Sequence, residues 1–306
     1  MKVSIAMTTY NGEKYILSLL ESVKSQIVLP DEVIIYDDCS TDNTFELVSE
    51  YISRNNLLNW KAKKNKCNIG WKKNFRQALK DCNHELIFLC DQDDIWENYK
   101  ISEMKQVMEI HPEIQLLTSN YTPLDIDRKD KVRVWGLNRN DATIRKLGFG
   151  YTAFSVARPG CTYCCTKRLV DEMLNRDYLN APHDAILWGY AVLNQSVYLY
   201  NRKTIIFKRH SDSATAPRHC FSSSSRIEHI NLEFSIKCFF KKQCLLLGDN
   251  SKAKIIEEQI RFDQSRITML KKKSVLLMMI FQIVHFKHYP SLRNLLSDDY
   301  LMLLKR

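Results

Sequence analysis

The sequence predicts an α/β domain whose mostly parallel central sheet is covered by helices on both faces, followed by a helical C-terminal extension. Three observations carry that prediction. Over the first hundred residues, short apolar runs alternate with segments of helical spacing, and the order βαβαβαβ implies a parallel sheet. The strongest runs are apolar without interruption, as strands buried on both faces are. From Ile227 onward the apolar residues recur at helical period.

Lys2 to Met7 is a short β-branched run. Tyr15, Ile16, Leu19, Leu20, Val23 and Ile27 then recur at helical spacing, and Pro30 stops that helix before a buried strand at Val33 to Tyr36. Phe45, Val48, Tyr51 and Ile52 mark a second helix, with Ser40 or Thr41 as its cap and Asp42 in its first turn. A weaker strand at Trp60 to Ala62 follows, then a helix face of Phe75, Ala78, Leu79 and Cys82. Leu86 to Cys90 is the most apolar strand of the set. From Ile144 to Phe207 the pattern is mixed, with loops at Arg158 to Thr162 and Ala181 to Asp184. Four serines, Ser222 to Ser225, mark a linker, which divides the chain into residues 1–220 and a helical extension at 221–306. Within the first part a further break near 120 separates residues 1–120 from 121–220.

Composition narrows the class. The 306 residues include 45 Lys and Arg against 35 Asp and Glu, for a net charge of +10, and only 8 Gly and 7 Pro, so the chain is neither collagen-like nor broadly disordered. Ten cysteines in this length are too dilute for a disulfide framework. The opening apolar run is too short for an export signal, and no run reaches the roughly 18 residues of a spanning helix. The expected location is the cytoplasm, including the inner face of the cell membrane.

In parallel sheets ligands bind beyond the carboxyl ends of the strands. There the sequence places Thr8-Thr9-Tyr10-Asn11-Gly12, then Asp37-Asp38-Cys39-Ser40-Thr41-Asp42, then Asp91-Gln92-Asp93-Asp94. Two acidic turns on one edge of a basic protein repel each other unless a cation or donors lie between them. An Asp-x-Asp after a buried strand suits a divalent ion, Mg²⁺ or Mn²⁺, that bridges phosphates. The other reading of Asp91, Asp93 and Asp94 is a helix-capping turn before Ile95-Trp96. A carboxylate at Asp38 can accept from a base imide or a ribose hydroxyl. Neither glycine-rich nucleotide fingerprint is present.

These residues resemble the inverting family-two glycosyltransferases with the GT-A fold, in the rhamnosyltransferase-like branch that builds bacterial surface polysaccharides. Ser4 to Gly12 is similar to the family's first strand and nucleotide loop, and Asp37 to Asp42 to its second motif, with Cys39 where the family has Gly. Asn68-Ile69-Gly70 resembles its Asn-x-Gly turn, and Asp91 to Asp94 its metal motif. The resemblance implies that Thr8, Thr9, Tyr10, Asn11, Asp38, Asn68, Gly70 and Asp91 bind the nucleotide sugar. Asp93 and Asp91, with His210 of Lys208-Arg209-His210, would hold the metal. Gly160, Cys161, Thr162 and His183 would lie on the acceptor side, and Asp184 would be the base that takes the acceptor's proton as the anomeric carbon is attacked with inversion. The acceptor would be a glycan or lipid-linked glycan.

Each residue has a plainer reading too. Asp184 suits an N-cap for Ala185 to Tyr190, and His210 a surface histidine. Lys72, Lys73 and Arg76 suit the solvated face of a helix. Cys161, Cys164 and Cys165 lack the second ligand pair that a structural zinc site needs. The stretch Val275 to Phe286, between Lys271-Lys272-Lys273 and Lys287-His288, reads either as a helix packed on the rest of the protein or as one lying on an anionic membrane surface. A nucleotidyltransferase would carry a basic glycine-rich loop, which Thr8 to Gly12 is not. A nucleic-acid binder is prompted only by charge, and the basic residues are scattered, so no nucleic-acid partner is expected.

Overall fold

A computed structural model describes residues 1–125, 139–176, 181–210, 223–272 and 274–303. The chain divides into two compact units, one of Met1–Leu147 with Arg158–Ser213 and the other of Gly148–Ala157 with Ala214–Arg306. The expected boundary at 220/221 lies outside the described residues, as do Ser222 and Lys273 of the motifs above. Ser223, Ser224 and Ser225 open a helix.

In the first unit, β1 (Val3–Thr9), β2 (Glu32–Asp37), β3 (Trp60–Lys64) and β4 (Leu86–Asp91) alternate with α1 (Ile16–Lys24), α2 (Thr44–Arg54) and α3 (Trp71–Asp81). They form the parallel order β3-β2-β1-β4. Every residue of β1 and β2 is buried. Val3, Ile5 and Met7 join Val33, Ile35, Leu86 and Phe88 in one core with Ile16, Leu19, Leu20 and Val23 of α1. Ala6, Ile34, Ile87 and Leu89, of the opposite parity, are buried as well, and α3 packs on β1 and β2, so both faces are covered.

Beyond β4 the sheet becomes mixed. The strands are β5 (Ile95–Trp96), β6 (Leu116–Asp125), β7 (Ile144–Lys146), β8 (Tyr163–Thr166) and β9 (Val197–Arg209), with α4 (Lys100–Ile110), α5 (Lys167–Leu174) and α6 (His183–Leu193) between them. β8 lies antiparallel between β4 and β6, β9 runs parallel to β6, and β5 and β7 pair antiparallel with β9. Ile95-Trp96 is thus a strand paired with Ile206 and Ile205, and the acidic turn before it caps no helix. The cap expected for α2 is also corrected. The helix starts at Thr44, and Ser40 and Thr41 bond elsewhere.

The second unit holds α7 (Ser223–Leu246), α8 (Asn250–Lys272), α9 (Val275–Val284) and α10 (Leu292–Leu303). Ile230, Phe262, Leu270, Met278, Phe281 and Tyr289 form its core. At its centre Asp298, fully buried, accepts from Arg226 Nε at 3.1 Å, from Arg266 Nε and Nη2 at 2.6 and 2.9 Å, and from the Tyr289 hydroxyl at 3.1 Å. One carboxylate thereby ties α7, α8 and α10 together. Removing one partner of a buried ion pair costs about 3–5 kcal/mol, because the remaining charge is stranded. Asp298→Ala is therefore expected to lower the unfolding free energy of the helical unit by that amount, read as a lower urea midpoint at unchanged m, and an unchanged midpoint would show that the cluster does not hold the unit together.

Candidate active site

The chain lays down β1, β2 and β3 in one direction and then places β4 on the other side of β1. The crevice at the carboxyl ends of β1 and β4 is therefore the switch point where parallel sheets bind ligands. Register sets Thr8 beside Asp91 and Thr9 beside Asp37. The residues after the three strand ends thus converge.

The loops there are braced side chain to backbone. Asp37, fully buried, accepts from the Thr9 hydroxyl at 2.8 Å and from the amide and hydroxyl of Ser40 at 2.8 and 2.5 Å. Asn11 donates its amide to Ser40 Oγ and accepts from the Thr41 amide, each at 2.9 Å, with its own φ at +47°. Gln92, absent from the sequence-based site, clamps Tyr10: its Oε1 accepts from the Tyr10 amide at 2.7 Å and its Nε2 donates to the Tyr10 carbonyl at 2.9 Å. The Tyr10 side chain stays 44% exposed on that rigid backbone. A Cβ at Gly12 would collide with the Gln92 amide. Cys39 sits at φ +63°, which explains why the resembling motif has Gly there.

Asp38 is buried, and its Oδ1 accepts from Asn65 Nδ2 and the Ile69 amide, each at 2.9 Å. Its Oδ2 accepts from the Gly70 amide at 2.8 Å. Those bonds give the Asn-x-Gly turn its purpose, with Gly70 at φ +85° and Asn68 Oδ1 3.1 Å from the same amide. A carboxylate has about four acceptor positions, so Oδ2 keeps one. Most of Asp38's acceptor capacity thus serves the neighbouring loop after β3.

Four carboxylates gather on the other side of the crevice. Asp91, Asp94 and the Cys161 thiol bring ligand atoms within 4.8 Å of one another. Burial and the neighbouring charges of Asp93 and Asp184 push the Asp91 carboxyl upward, and burial with Asp93 and Asp91 does the same to Asp94, while the nearby Cys161 thiol works the other way on each. Asp94 is fully buried; its Oδ1 accepts from the Lys208 amide at 3.2 Å, and its Oδ2 has no hydrogen-bond partner among the described residues. Asp93 instead meets His210, whose Nε2 lies 2.9 Å from Oδ2 while its ring stacks on Tyr15 at 4.5 Å. His210 is therefore a buried residue, not a surface one.

The carboxylates of Asp91 and Asp94 are donors that suit a hard divalent ion, and the Asp93–His210 pair, in mutual hydrogen-bond contact, adjoins them. The orphaned Asp94 oxygen and the repelling Asp91–Asp94 pair are what such a cation would satisfy. Asp94 is the ligand candidate that the sequence reading passed over. Only its place in the acidic run pointed to it.

Of the residues expected on the acceptor side, Thr162 is fully buried, its hydroxyl 2.7 Å from that of Thr118, and Cys161 is buried against the carboxylates. His183 is buried too, stacked on Phe75 at 3.9 Å and edge-on to Trp71 at 5.8 Å, and burial lowers it to about 4. It is a neutral wedge that seats the start of α6. Asp184 lies inside the first turn of α6, past the cap position at Pro182, and its charge is felt by Asp91. Gly160 lies against it: an added Cβ would come within 2.9 Å of Asp184 Cβ. Arg76 donates to the Leu174 carbonyl at 2.9 Å, at the end of α5, and Lys72 lies over Trp71. Cys164 and Cys165 are buried in β8 and join no metal-ligand cluster among the described residues.

A parallel sheet with a braced nucleotide-type loop on one side of its switch point and clustered carboxylates on the other defines a GT-A glycosyltransferase. The chain belongs to glycosyl transferase family 2, whose family model matches residues 4–179. It is 30% identical over 234 residues to the dTDP-rhamnosyl transferase RfbG of Shigella flexneri, covering 71% of this chain and 76% of that protein. It is 34% identical over 113 residues to the poly(ribitol-phosphate) beta-N-acetylglucosaminyltransferase TarS of Staphylococcus aureus, covering 36% of this chain and 19% of TarS. The crystal structure of S. aureus TarS 1–349 in complex with UDP shares the fold, with a TM-score of 0.64 at 19% identity over all of this chain and 92% of that one. The UDP-GlcNAc complex gives 0.63 at 19% identity, over 98% and 90%.

Three predictions come from this geometry. Asp94→Asn removes a repelling charge while keeping an acceptor for the Lys208 amide, so the metal-free protein should melt higher and its stabilisation by Mn²⁺ should shrink or vanish. A carboxyl raised in the folded state costs stability as pH climbs from its unfolded value toward its folded one. The Mn²⁺-induced rise in Tm should therefore be larger at pH 8 than at pH 6 in the wild type, and an equal rise at both would count against these ligands. Gly160→Ala should displace Asp184 and reduce kcat about 10²-fold with KM for donor little changed, read from steady-state release of the leaving diphosphate.

Proposed function

We propose that this glycosyltransferase moves a sugar from a nucleoside-diphosphate donor to a glycan or lipid-linked glycan acceptor with inversion, in bacterial surface polysaccharide synthesis at the inner face of the cell membrane. The observation that carries the reading is the convergence of Asp91, Asp93, Asp94 and Asp184 on the β1/β4 switch point, with Asp184 electrostatically coupled to Asp91.

The donor's base suits the Asp38 side, where the remaining Oδ2 acceptor position fits the imide N–H of a pyrimidine and the exposed Tyr10 ring offers a stacking face. The relatives named for dTDP and UDP ligands agree with a pyrimidine donor, and the rhamnosyl transferase favours a deoxyhexose. Asp91, Asp93, Asp94 and His210 would hold Mg²⁺ or Mn²⁺. Such an ion would supply Lewis-acid neutralisation of the charge that develops on the departing diphosphate. Asp184 takes the acceptor hydroxyl's proton as the new bond forms. A carboxylate suffices, since that proton becomes acidic only as the oxygen attacks. Single displacement needs no covalent intermediate, and the buried Cys161 thiol, raised further by its burial, supplies no nucleophile.

The decisive test pairs binding with turnover. UDP or dTDP with Mn²⁺ should raise Tm where an oligonucleotide does not, and Asp184→Asn should retain that shift while losing about 10²–10⁴-fold in kcat. Full turnover in Asp184→Asn would remove it as the base.

A further inference from the structure

Helix α9 is built with its polar side inward. Nine of its ten residues are apolar, and the single polar one, Gln282, is buried. Its Nε2 donates to the Asp299 carboxylate at 2.7 Å and to the Leu295 carbonyl at 3.3 Å, both on α10. Met278 and Phe281 are the other buried residues, and 278, 281 and 282 form one helical seam. Most of the rest faces water: Leu276 is 69% exposed, Met279 53%, Ile280 51%, Ile283 79% and Val284 67%, while Val275 packs partly buried on the core. α10 adds Leu292, Leu296 and Tyr300 at i, i+4 and i+8, each at least half exposed. Scattered exposed apolar residues need no explanation, but a helix that hides its glutamine and shows its isoleucines is shaped for an apolar partner.

The charges at its ends say which partner. Exposed Lys271 and Lys272 precede α9, and exposed Lys287, lying over the Tyr151 ring at 4.7 Å, follows it, while α9 itself has no acidic residue. A second copy of the chain meeting this face by two-fold symmetry would set lysines against lysines. An anionic lipid surface satisfies both features, accepting the apolar side chains below its headgroups and the ammonium groups among its phosphates. Ten residues extend ~15 Å, half of the ~30 Å hydrocarbon core, so the helix lies in the interface; no helix among the described residues is long and apolar enough to cross.

We propose that α9 is an in-plane docking helix for anionic membrane, held by Leu276, Met279, Ile280, Ile283 and Val284 and flanked by Lys271, Lys272 and Lys287. The test is co-sedimentation of the full chain with vesicles of phosphatidylcholine containing 30% phosphatidylglycerol, against phosphatidylcholine alone. These vesicles hold no sugar acceptor, so the result is independent of glycosyl transfer, which a soluble acceptor assay follows separately. Wild type should bind the anionic vesicles at least tenfold more tightly, and 0.5 M NaCl should remove most of that preference. The Ile280→Glu/Ile283→Glu variant should lose at least tenfold in binding while its Tm and transfer to a soluble acceptor stay as in wild type. Wild-type binding that is equal on both vesicle types, or absent from both, overturns the proposal. So does a wild-type dimer in analytical ultracentrifugation that Ile280→Glu/Ile283→Glu converts to monomer.

Discussion

Repulsion among the carboxylates at the β1/β4 crevice is the constraint around which the catalytic unit is organised. Asp91, Asp93, Asp94 and Asp184 hold one another's charges within mutual influence. Lys100 is fully buried in the same unit, its Nζ 3.3 Å from the Cys161 carbonyl and from the Thr204 hydroxyl, and 4.8 Å over Trp96. Burial pulls its ammonium down to about 8, while the side chains of Cys161, Cys164 and Cys90, and last Asp94, push it back up. An isolated buried ammonium would be expelled or neutralised. Here the carbonyl, the hydroxyl and the indole ring receive it.

The same constraint explains the loop chemistry. Charged groups this close must be held in place, because a side chain free to swing would turn to solvent and leave the crevice. Gln92 grips the backbone of Tyr10, Asp37 gathers Thr9 and Ser40, Asp38 fastens the Asn65 to Gly70 segment, and His183 wedges between Phe75 and Trp71 beneath Asp184. Several residues that look like ligand contacts in a motif are in this structure the frame for those contacts. Cys39 shows the cost of that frame. The turn demands a left-handed residue, and a β-carbon there is strained by about 1–2 kcal/mol.

That distinction marks how far the sequence is legible. The parallel half of the sheet was readable because β1, β2 and β4 are apolar runs between helical patterns, β3 being the weak one, and register alone then brings Thr8, Asp37 and Asp91 together. The second half was not. β8 is four residues long, each a cysteine or a hydroxyl residue, and it takes its place between β4 and β6 through pairing far along the chain, which no local pattern records. Within the site, residue type indicated which groups carry charge but not which way they turn. Asp93 and Asp94 are adjacent in sequence, yet one meets His210 and the other sinks beside Asp91 and Cys161, because the chain leaves the turn directly into β5 and its alternation sends them apart. Thr162 and Cys161 looked like surface contacts only because the burial of the segment around them depends on β6.

The helical unit inverts the usual division of polarity. Its interior is bound by Asp298 between two arginines and by Lys237 on Asp263 at 2.7 Å, groups that ordinarily face water, while the outer side of α9 carries leucine, isoleucine and valine. The directed ion pairs fix how α7, α8 and α10 meet around the apolar core, to whose buried members α9 gives Met278 and Phe281 only. Gln282 completes the exchange, since its bonds to Leu295 and Asp299 orient the helix about its axis and so decide which residues remain outside.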